Sequence, residues 1–299
     1  MSLSLSYLTI DISSVIKVPC AGIIQIHEVT SSSSSITTTT TTSSKLSSPL
    51  HRFKRFYIRK PKALKVVSSE YSCFEVKGVN YRPPGTQHNL LNDVNFSLHE
   101  KSLGLIFGRS GSGKTTLLQL LAGLSKPTSG SIYIQRYGED GNPNQSPEDL
   151  PPERVGIVFQ FPERYFLADT VLEEVTFGWP RQRGGIQLKE QLALGLQRAI
   201  NSVGLNGISL DEDPHALSGG YKRRLALAIQ LVQTPDLLIL DEPLAGLDWK
   251  ARADVVKLLK NLKKELTLLV VSHDLKELSS LVDQSWRMEM GGFLKKEPM

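Results

Sequence analysis

Hydrophobic and polar residues form two strand-like patterns in the chain from residue 74 onward. Residues 74–81 and 94–100 alternate apolar and polar positions, which predicts antiparallel strands with one buried face. Residues 103–108 are a continuous apolar run that ends in glycine, which is typical of a buried parallel strand. Three further candidate strands lie at residues 154–160, 237–243 and 267–274.

Helical periodicity separates these strands. In the segment that begins at Lys114, one helical face carries Leu117, Leu118, Leu121 and Leu124. Further helices are predicted near residues 188–203, 219–233 and 249–264. A loop is predicted at 138–153, which holds four prolines, and a final strand pair turns at Gly291 and Gly292. Alternating strands and helices predict an α/β fold, with one domain over residues 70–299.

The first 69 residues differ in composition from the rest. Residues 1–50 contain 22 Ser or Thr, and residues 51–65 are rich in bases without an acid. This composition is typical of an organelle transit peptide, and it favours a plastid because an Arg-rich amphipathic helix is missing. We therefore expect an address at 1–69 that is cut between about 50 and 70. Two other interpretations stay open: a retained disordered tail, and anionic-lipid binding by residues 51–65.

Charge and cysteine content exclude several classes of function. Residues 1–69 hold nine of the 35 Lys and Arg but two of the 30 Asp and Glu, which leaves 26 bases and 28 acids in the folded part. We therefore expect no nucleic-acid partner. Cys20 and Cys73 are too few for a disulfide framework or a four-ligand zinc site. No uncharged apolar run reaches the roughly 18–20 residues of a membrane-spanning helix, so a membrane role requires a partner.

A glycine-rich loop follows the strand at 103–108. Residues 108–115 match the pattern GxxxxGK[ST] between a strand and a helix, as a phosphate-binding loop requires. In such a loop the backbone N–H groups and the helix dipole surround a phosphate. Lys114 would reach the β- and γ-phosphates, and the Thr115 hydroxyl would ligate Mg²⁺. The sequence therefore predicts a nucleotide site.

Two carboxylates end the apolar run at 237–240. Asp241 lies at the carboxyl end of the predicted strand, where it can hold Mg²⁺ through water. Glu242 follows, and a turn at the strand end can bring both carboxylates to the phosphates. A glutamate beside a phosphate can take a proton from an attacking water. The alternative is a solvated start of a loop.

A second glycine motif, Leu217-Ser218-Gly219-Gly220, precedes Asp241. Ser218 is a candidate N-cap, and two glycines let the following helix approach an anion closely. With the other motifs, residues 73–295 resemble the ATP-binding-cassette (ABC) ATPases. The resemblance implies a P-loop NTPase fold with a RecA-like core, an antiparallel β subdomain and an α-helical signature subdomain. It also implies ATP and Mg²⁺ as cofactors.

The resemblance assigns roles to individual residues. The ATP-binding set is Tyr81, Gly108, Arg109, Ser110, Gly111, Ser112, Gly113, Lys114, Thr115 and Thr116, with Tyr81 against the adenine. The catalytic set is Glu242, His273 and Gln160, and the Mg²⁺ set is Thr115, Gln160 and Asp241. Ser218, Gly219 and Gly220 form the signature, and Asp248 belongs to the D-loop, residues 245–248. In the family the signature acts on nucleotide bound by a second subunit, which implies a homodimer or a heterodimer with another ABC ATPase.

One position departs from the family pattern. The signature of the family continues with Gln, whereas this chain has Tyr221 followed by Lys222, Arg223 and Arg224. Because Ser218 and both glycines are intact, we expect activity to survive. The coupling of dimer closure to hydrolysis stays open.

Residues 158–178 and 242–248 look like the ATPase subunits of energy-coupling-factor transporters. Together with the N-terminal address, they resemble plastid-targeted plant ABC proteins that lack membrane domains. Such ATPases receive a helix of a separate membrane subunit beside the Q-loop, the segment around Gln160. Four residues there are expected to be exposed for docking: Phe161, Pro162, Tyr165 and Phe166. In the alternative they pack inside the helical subdomain.

The main functional hypothesis is therefore the ATPase subunit of a multi-subunit importer, peripheral to the plastid envelope on the stromal side. Its cargo would be a transition metal or a small cofactor, which this chain does not itself bind. The alternative is a soluble scaffold ATPase of the iron–sulfur cluster assembly type, which also lacks membrane segments.

Overall fold

The computed structural model describes residues 71–138, 142–177, 186–273 and 275–298. The expected address at 1–69 lies outside these residues. Within them the strands are β1 (Tyr71–Tyr81), β2 (Leu91–His99), β3 (Leu103–Gly108), β4 (Ser129–Tyr137), β5 (Glu148–Asp149), β6 (Val155–Val158), β7 (Leu237–Asp241), β8 (Thr267–Val271), β9 (Gln284–Met288) and β10 (Leu294–Glu297). The α-helices are α1 (Lys114–Leu121), α2 (Val171–Val175), α3 (Ile186–Val203), α4 (Gly219–Leu231), α5 (Trp249–Leu262) and α6 (Leu275–Leu278). Single 3-10 turns lie at Pro152–Arg154, Pro162–Tyr165, Pro214–Ala216 and Ser279–Leu281.

The first sheet is antiparallel, with strand order β2-β1-β4-β5. Its inner face follows from the alternation read in the sequence: Val76, Val94 and Leu98 are buried, whereas their neighbours Lys77 and Ser97 are exposed. This sheet forms the antiparallel β subdomain expected from the resemblance.

The second sheet has the order β10-β9-β3-β8-β7-β6 and is parallel except for β10. Its central strands carry continuous apolar runs because both faces are covered. Register places Ile106 beside Val271 and Val271 beside Asp241. The carboxyl ends of β3, β8 and β7 therefore meet at one edge of the sheet, where parallel α/β sheets place their ligand sites.

Two hydrophobic layers cover the parallel sheet. On one face, Ile106, Ile239 and Val271 pack with α1 and the inner face of the antiparallel sheet. On the other face, Leu240 and Val270 pack with residues of α2 to α5. The sheet is thus packed on one face against α1 and the antiparallel sheet and on the other against the helical layer, which positions its carboxyl edge. In the described ranges no helix has the length and apolar character to cross a membrane.

The structure corrects two expectations and adds a strand that the sequence does not predict. The periodicity predicts Leu124 on the same helical face as the other leucines of the first helix, but α1 ends at Leu121, Gly123 has φ +68°, and Leu124 is 57% exposed. Strand β4 has no counterpart among the predicted strands. The expected loop at 138–153 contains the short strand β5, although residues 139–141 lie outside the described part.

Candidate nucleotide-binding and catalytic site

The glycine-rich loop runs from the end of β3 to the start of α1, as the sequence predicts. Gly108 has φ +152°, and a Cβ there would lie 2.2 Å from the Met288 carbonyl oxygen. Gly113 caps α1 in the left-handed conformation at φ +106°, and a Cβ there would lie 2.8 Å from Leu91 Cδ2. Glycine is required at both positions by backbone conformation and by space.

Lys114 is held under this loop. Its Nζ donates to the carbonyl oxygens of Gly108 at 2.7 Å and of Arg109 at 2.9 Å, and the residue is 8% exposed. Burial lowers the pKa of Lys114, while the charges of Glu242 and Asp241 oppose that shift. A cation positioned this way can turn towards an anion bound in the loop.

Other polar groups of the loop are available to a ligand. Ser112 is 1% exposed, and its Oγ has no hydrogen-bond partner among the described residues. A buried hydroxyl without a partner is uncommon in a folded protein, so a bound phosphate would satisfy it. Arg109, Ser110 and Gly111 are exposed at the tip. The loop therefore fits the phosphates of a nucleotide.

Thr115 and Asp241 bring hydroxyl and carboxylate oxygens together. Thr115 Oγ1 lies 3.5 Å from Asp241 Oδ2. Asp241 is 9% exposed, and burial raises the pKa of its carboxyl group, as does the neighbouring charge of Glu242. A buried carboxylate beside a hydroxyl is the kind of oxygen donor set that suits Mg²⁺. A divalent cation would relieve the unfavourable burial of this charge.

Glu242 leaves the strand through an unusual backbone conformation. Its φ is +48°, a value that is uncommon for residues other than glycine, and its N–H donates to the Val271 carbonyl at 2.8 Å. Oε2 accepts from Ser272 Oγ at 3.2 Å and from the His273 N–H at 3.3 Å, and Oε1 lies 3.4 Å from His273 Nε2. The turn thus fixes the Glu242 carboxylate at the carboxyl edge of the sheet, where Asp241 also lies.

Two more predicted residues lie around this edge. Gln160 follows the end of β6, which pairs with β7, and it is partly exposed. Tyr81 ends β1, and its carbonyl oxygen accepts from the Leu90 N–H at 2.7 Å. Leu90 in turn lies next to Gly113, the N-cap of α1, because a Cβ on Gly113 would be 3.3 Å from the Leu90 carbonyl oxygen. Through Leu90, Tyr81 is therefore near the amino end of α1.

The second glycine motif begins α4. Ser218 caps this helix by accepting at its Oγ from the Tyr221 N–H at 3.4 Å, as the sequence predicts. Ser218 and Gly219 are exposed, and a Cβ on Gly219 would meet Leu247 at 3.5 Å. The motif thus lies beside the D-loop, whose Asp248 caps α5 through the Ala251 N–H at 2.8 Å. No hydrogen bond found in the described ranges joins Ser218 to the phosphate loop of its own chain.

The four residues expected to be exposed for docking divide into two pairs. Phe161 and Tyr165 are 38% and 55% exposed, as expected. Pro162 and Phe166 are buried, which corrects the expectation: Phe166 packs in the hydrophobic layer with the helices. Leu167, which was not anticipated, is 61% exposed. Two of the four residues thus have the exposure that docking requires and two pack inside the helical layer, while docking itself stays a prediction.

Two residues near the site were not identified from the sequence. Ser272 is fully buried and donates to Glu242, but a serine after an apolar run gives no signal of that contact. Arg223 is 4% exposed and donates to the carbonyl oxygens of Phe159, Gln160 and Ala245. The only sign of it in the sequence is the basic run after the signature.

The fold and the site together define a P-loop ATPase of the ATP-binding-cassette architecture. The chain belongs to the ABC transporter family, whose family model matches residues 91–245. It is thus an ATP-hydrolysing ABC protein, and the α/β fold class expected from its sequence is confirmed.

Two sequence relatives refine this assignment. The chain is 76% identical over 239 residues to ABC transporter I family member 11, chloroplastic, of Arabidopsis thaliana. The matched region covers 80% of this chain and 86% of the relative. That similarity confirms the expected chloroplast location. The chain is also 39% identical over 218 residues to the energy-coupling factor transporter ATP-binding protein EcfA2 of Acetivibrio thermocellus, with 72% and 73% coverage.

Two solved structures share the fold at moderate identity. The cbiO1 protein of Clostridium perfringens, part of the ABC transporter complex cbiONQ, superposes with a TM-score of 0.62 at 28% identity and covers 74% of this chain and 86% of its own. The dimeric structure of MJ0796, a bacterial ABC transporter cassette, gives a TM-score of 0.56 at 27% identity, with 75% and 97% coverage.

Proposed function

We propose that this chain is the ATP-binding and ATP-hydrolysing subunit of an energy-coupling-factor-like importer at the plastid envelope. The observation that carries the proposal is one sheet edge that holds Lys114, Asp241 and the Glu242–His273 pair together. The similarity to EcfA2 favours a transporter subunit over the scaffold alternative. The cargo would be a transition metal or a small cofactor bound by another polypeptide.

The nucleotide would lie along the loop of residues 108–116. Backbone N–H groups and Ser112 Oγ would donate to its phosphates, and Lys114 would move from the loop carbonyls to the β- and γ-phosphates. Tyr81 would stack on the adenine. Thr115, Gln160 and Asp241 would hold Mg²⁺, which when bound neutralises charge on the phosphate oxygens.

Hydrolysis would depend on Glu242 as general base. Its carboxylate is 12% exposed and is fixed by Ser272 and by the His273 backbone, so it need not reorganise before it accepts a proton from water. His273, whose side chain is 58% exposed, would turn towards the γ-phosphate while it stays near Glu242. Gln160 would complete the catalytic set.

A second cassette would close the site. The Ser218–Gly220 motif, in which Ser218 and Gly219 are exposed, would act on nucleotide held by a partner cassette, and Asp248 would lie at the contact between the two. The exposed, capped amino end of α4 supports this arrangement, since such an end attracts an anion that its own chain does not supply. The partner would be a second copy or a related ABC ATPase.

The membrane subunit would dock beside the Q-loop. Phe161, Tyr165 and Leu167 give this surface three exposed apolar side chains. Glu174 fixes its shape, because Oε2 accepts from the backbone N–H groups of Leu167 at 2.8 Å and Ala168 at 2.7 Å. An ordered apolar surface of this kind fits an amphipathic helix of a partner.

Affinity purification from isolated plastid envelopes tests the proposal. We expect the N-terminal address to be cut between about residues 50 and 70 on import, and the mature protein to co-purify with a polytopic membrane protein and to hydrolyse ATP with Mg²⁺. A soluble cluster-assembly partner instead would support the scaffold alternative. Full-length protein recovered only from the cytosol would contradict the plastid role.

A further inference from the structure

One buried cation joins three parts of the candidate site. Arg223 lies in the second turn of α4 and is 4% exposed. Its Nη1 donates to the carbonyl oxygens of Phe159 at 3.1 Å and of Gln160 at 2.7 Å, and its Nη2 donates to that of Ala245 at 3.1 Å. The side chain therefore links the signature helix to both the Q-loop and the D-loop.

These contacts are important because the guanidinium is buried away from solvent. Burial lowers the pKa of Arg223, and the charge of Glu163 opposes that shift only in part. Its Nε has no hydrogen-bond partner among the described residues, so the three carbonyl oxygens are the acceptors that compensate for the lost hydration. A displacement of either loop away from the other would remove part of the acceptor set of this buried guanidinium, which opposes independent movement of the loops.

The next residue on the helix points elsewhere. Arg224 donates to the carbonyl oxygens of Val203 at 3.2 Å and Gly204 at 3.3 Å and pairs with Asp254 at 3.2 Å, so it ties α4 to α3 and α5. Within the basic run that follows the signature, Arg223 thus contacts the loops of the site and Arg224 contacts the helical layer.

We propose that Arg223 is a positioning residue that makes α4 respond to the state of the nucleotide at Gln160. The proposal rests on the proposed function, because it assumes that Gln160 contacts Mg²⁺ and the γ-phosphate. When the Q-loop moves with the nucleotide, the hydrogen bond from Arg223 to the Gln160 carbonyl oxygen moves the start of α4 in the same direction. The hydrogen bond from the same guanidinium to Ala245 keeps the D-loop in place relative to α4. The signature and the D-loop then reach a partner cassette as one unit.

The test compares Arg223→Gln with Arg223→Lys in the full chain. We expect either variant to bind ATP with a Kd within about twofold of the wild type and to lose about tenfold in kcat. A tenfold loss is of the size by which substitutions along a coupling network change the coupling between two sites. Lys keeps the charge but lacks the planar fork that reaches both loops, so we expect it not to restore kcat. Lys222→Gln is the matched control, since it removes a charge from the same turn at a partly exposed side chain.

Two measurements separate coupling from a merely structural role. Gln160→Ala and Arg223→Gln should be non-additive in kcat, because both interrupt the same link. Hydrogen exchange should show that Mg-ATP protects both the phosphate loop and residues 219–225 in the wild type, but only the phosphate loop in Arg223→Gln. The inference would be overturned if the kcat losses of Gln160→Ala and Arg223→Gln were additive or if Arg223→Lys restored kcat. It would also be overturned if Mg-ATP protected residues 219–225 in Arg223→Gln as it does in the wild type. The exchange readout needs binding alone, so a wild type that binds but does not hydrolyse ATP refutes the proposed function and still tests Arg223.

Discussion

Replacing Glu242 by Gln removes the proposed base while it leaves the local structure in place. The amide oxygen can still accept from Ser272 Oγ and from the His273 N–H, which lie 3.2 Å and 3.3 Å from the present carboxylate oxygen. The loss of charge in these hydrogen bonds costs about 1 kcal/mol, which lowers the Tm by only a few degrees in a domain of this size. A neutral amide cannot accept the proton of water, so kcat should fall by about 10²- to 10⁴-fold.

Three measurements on the full chain check this prediction. Steady-state phosphate release gives kcat, equilibrium binding gives the Kd for ATP, and size-exclusion chromatography with Mg-ATP gives the assembly state. We expect Glu242→Gln to keep its ATP affinity and to accumulate as a nucleotide-bound dimer. Glu265→Gln, an exposed glutamate beyond the end of α5, should match the wild type in all three. Hydrolysis at the wild-type rate in Glu242→Gln would remove Glu242 from the role of base.

Three further predictions follow from contacts at the site. Gly108→Ala places a Cβ 2.2 Å from the Met288 carbonyl oxygen and should lower the free energy of unfolding in urea by about 2–4 kcal/mol. Its control is Gly195→Ala in α3, where the new Cβ meets no atom within 4 Å and should raise that free energy by about 0.5–1 kcal/mol. Equal effects of the two substitutions would contradict the steric reasoning. Asp241→Asn should raise the Tm of the nucleotide-free protein at pH 7, because burial raises the pKa of Asp241 and makes its ionised form unfavourable in the fold. That advantage should disappear as the pH falls below the ordinary aspartate pKa of about 3.9, where the carboxyl group is protonated in the folded and unfolded states alike, and a gain that persists there would exclude the charge as its cause. Tyr165→Ala, at a side chain that is 55% exposed, should weaken co-purification of the membrane partner. It should lower the Tm by only a few degrees, because the ring also contacts Phe159 with centroids 5.0 Å apart, and undiminished co-purification would place the docking surface elsewhere.

The elements predicted correctly are those whose signal is local. Strand β3 and the start of α1 were bounded correctly because an apolar run, a glycine loop and a helical repeat follow one another without a gap. Strand β4 was not anticipated because it starts with the exposed residues Ser129, Gly130 and Ser131, which resemble a turn until β1 pairs with them. Pairing between distant segments overrides local preference at such positions.

The docking segment shows the same limit at the level of single side chains. Phe161 and Phe166 are equally apolar and lie five residues apart, yet one is 38% exposed and the other 7%. A single 3-10 turn at Pro162–Tyr165 lies between them, so the two rings are not related by a regular helical or strand repeat. Periodicity cannot assign a face to so short an irregular segment, because it needs several turns of regular structure.

The position of Glu242 combines what the sequence could and could not provide. The pair of carboxylates after an apolar strand indicated a catalytic edge, but alternation along a strand would place Asp241 and Glu242 on opposite faces. The positive φ of +48° at Glu242 resolves this conflict, and the N–H contact to Val271 on β8 holds it there. A conformation that strained persists only where the surrounding structure enforces it. The two roles proposed for adjacent carboxylates therefore depend on the parallel pairing of β7 with β8, which extends to the last residue of each strand and places Ser272 and His273 opposite the turn.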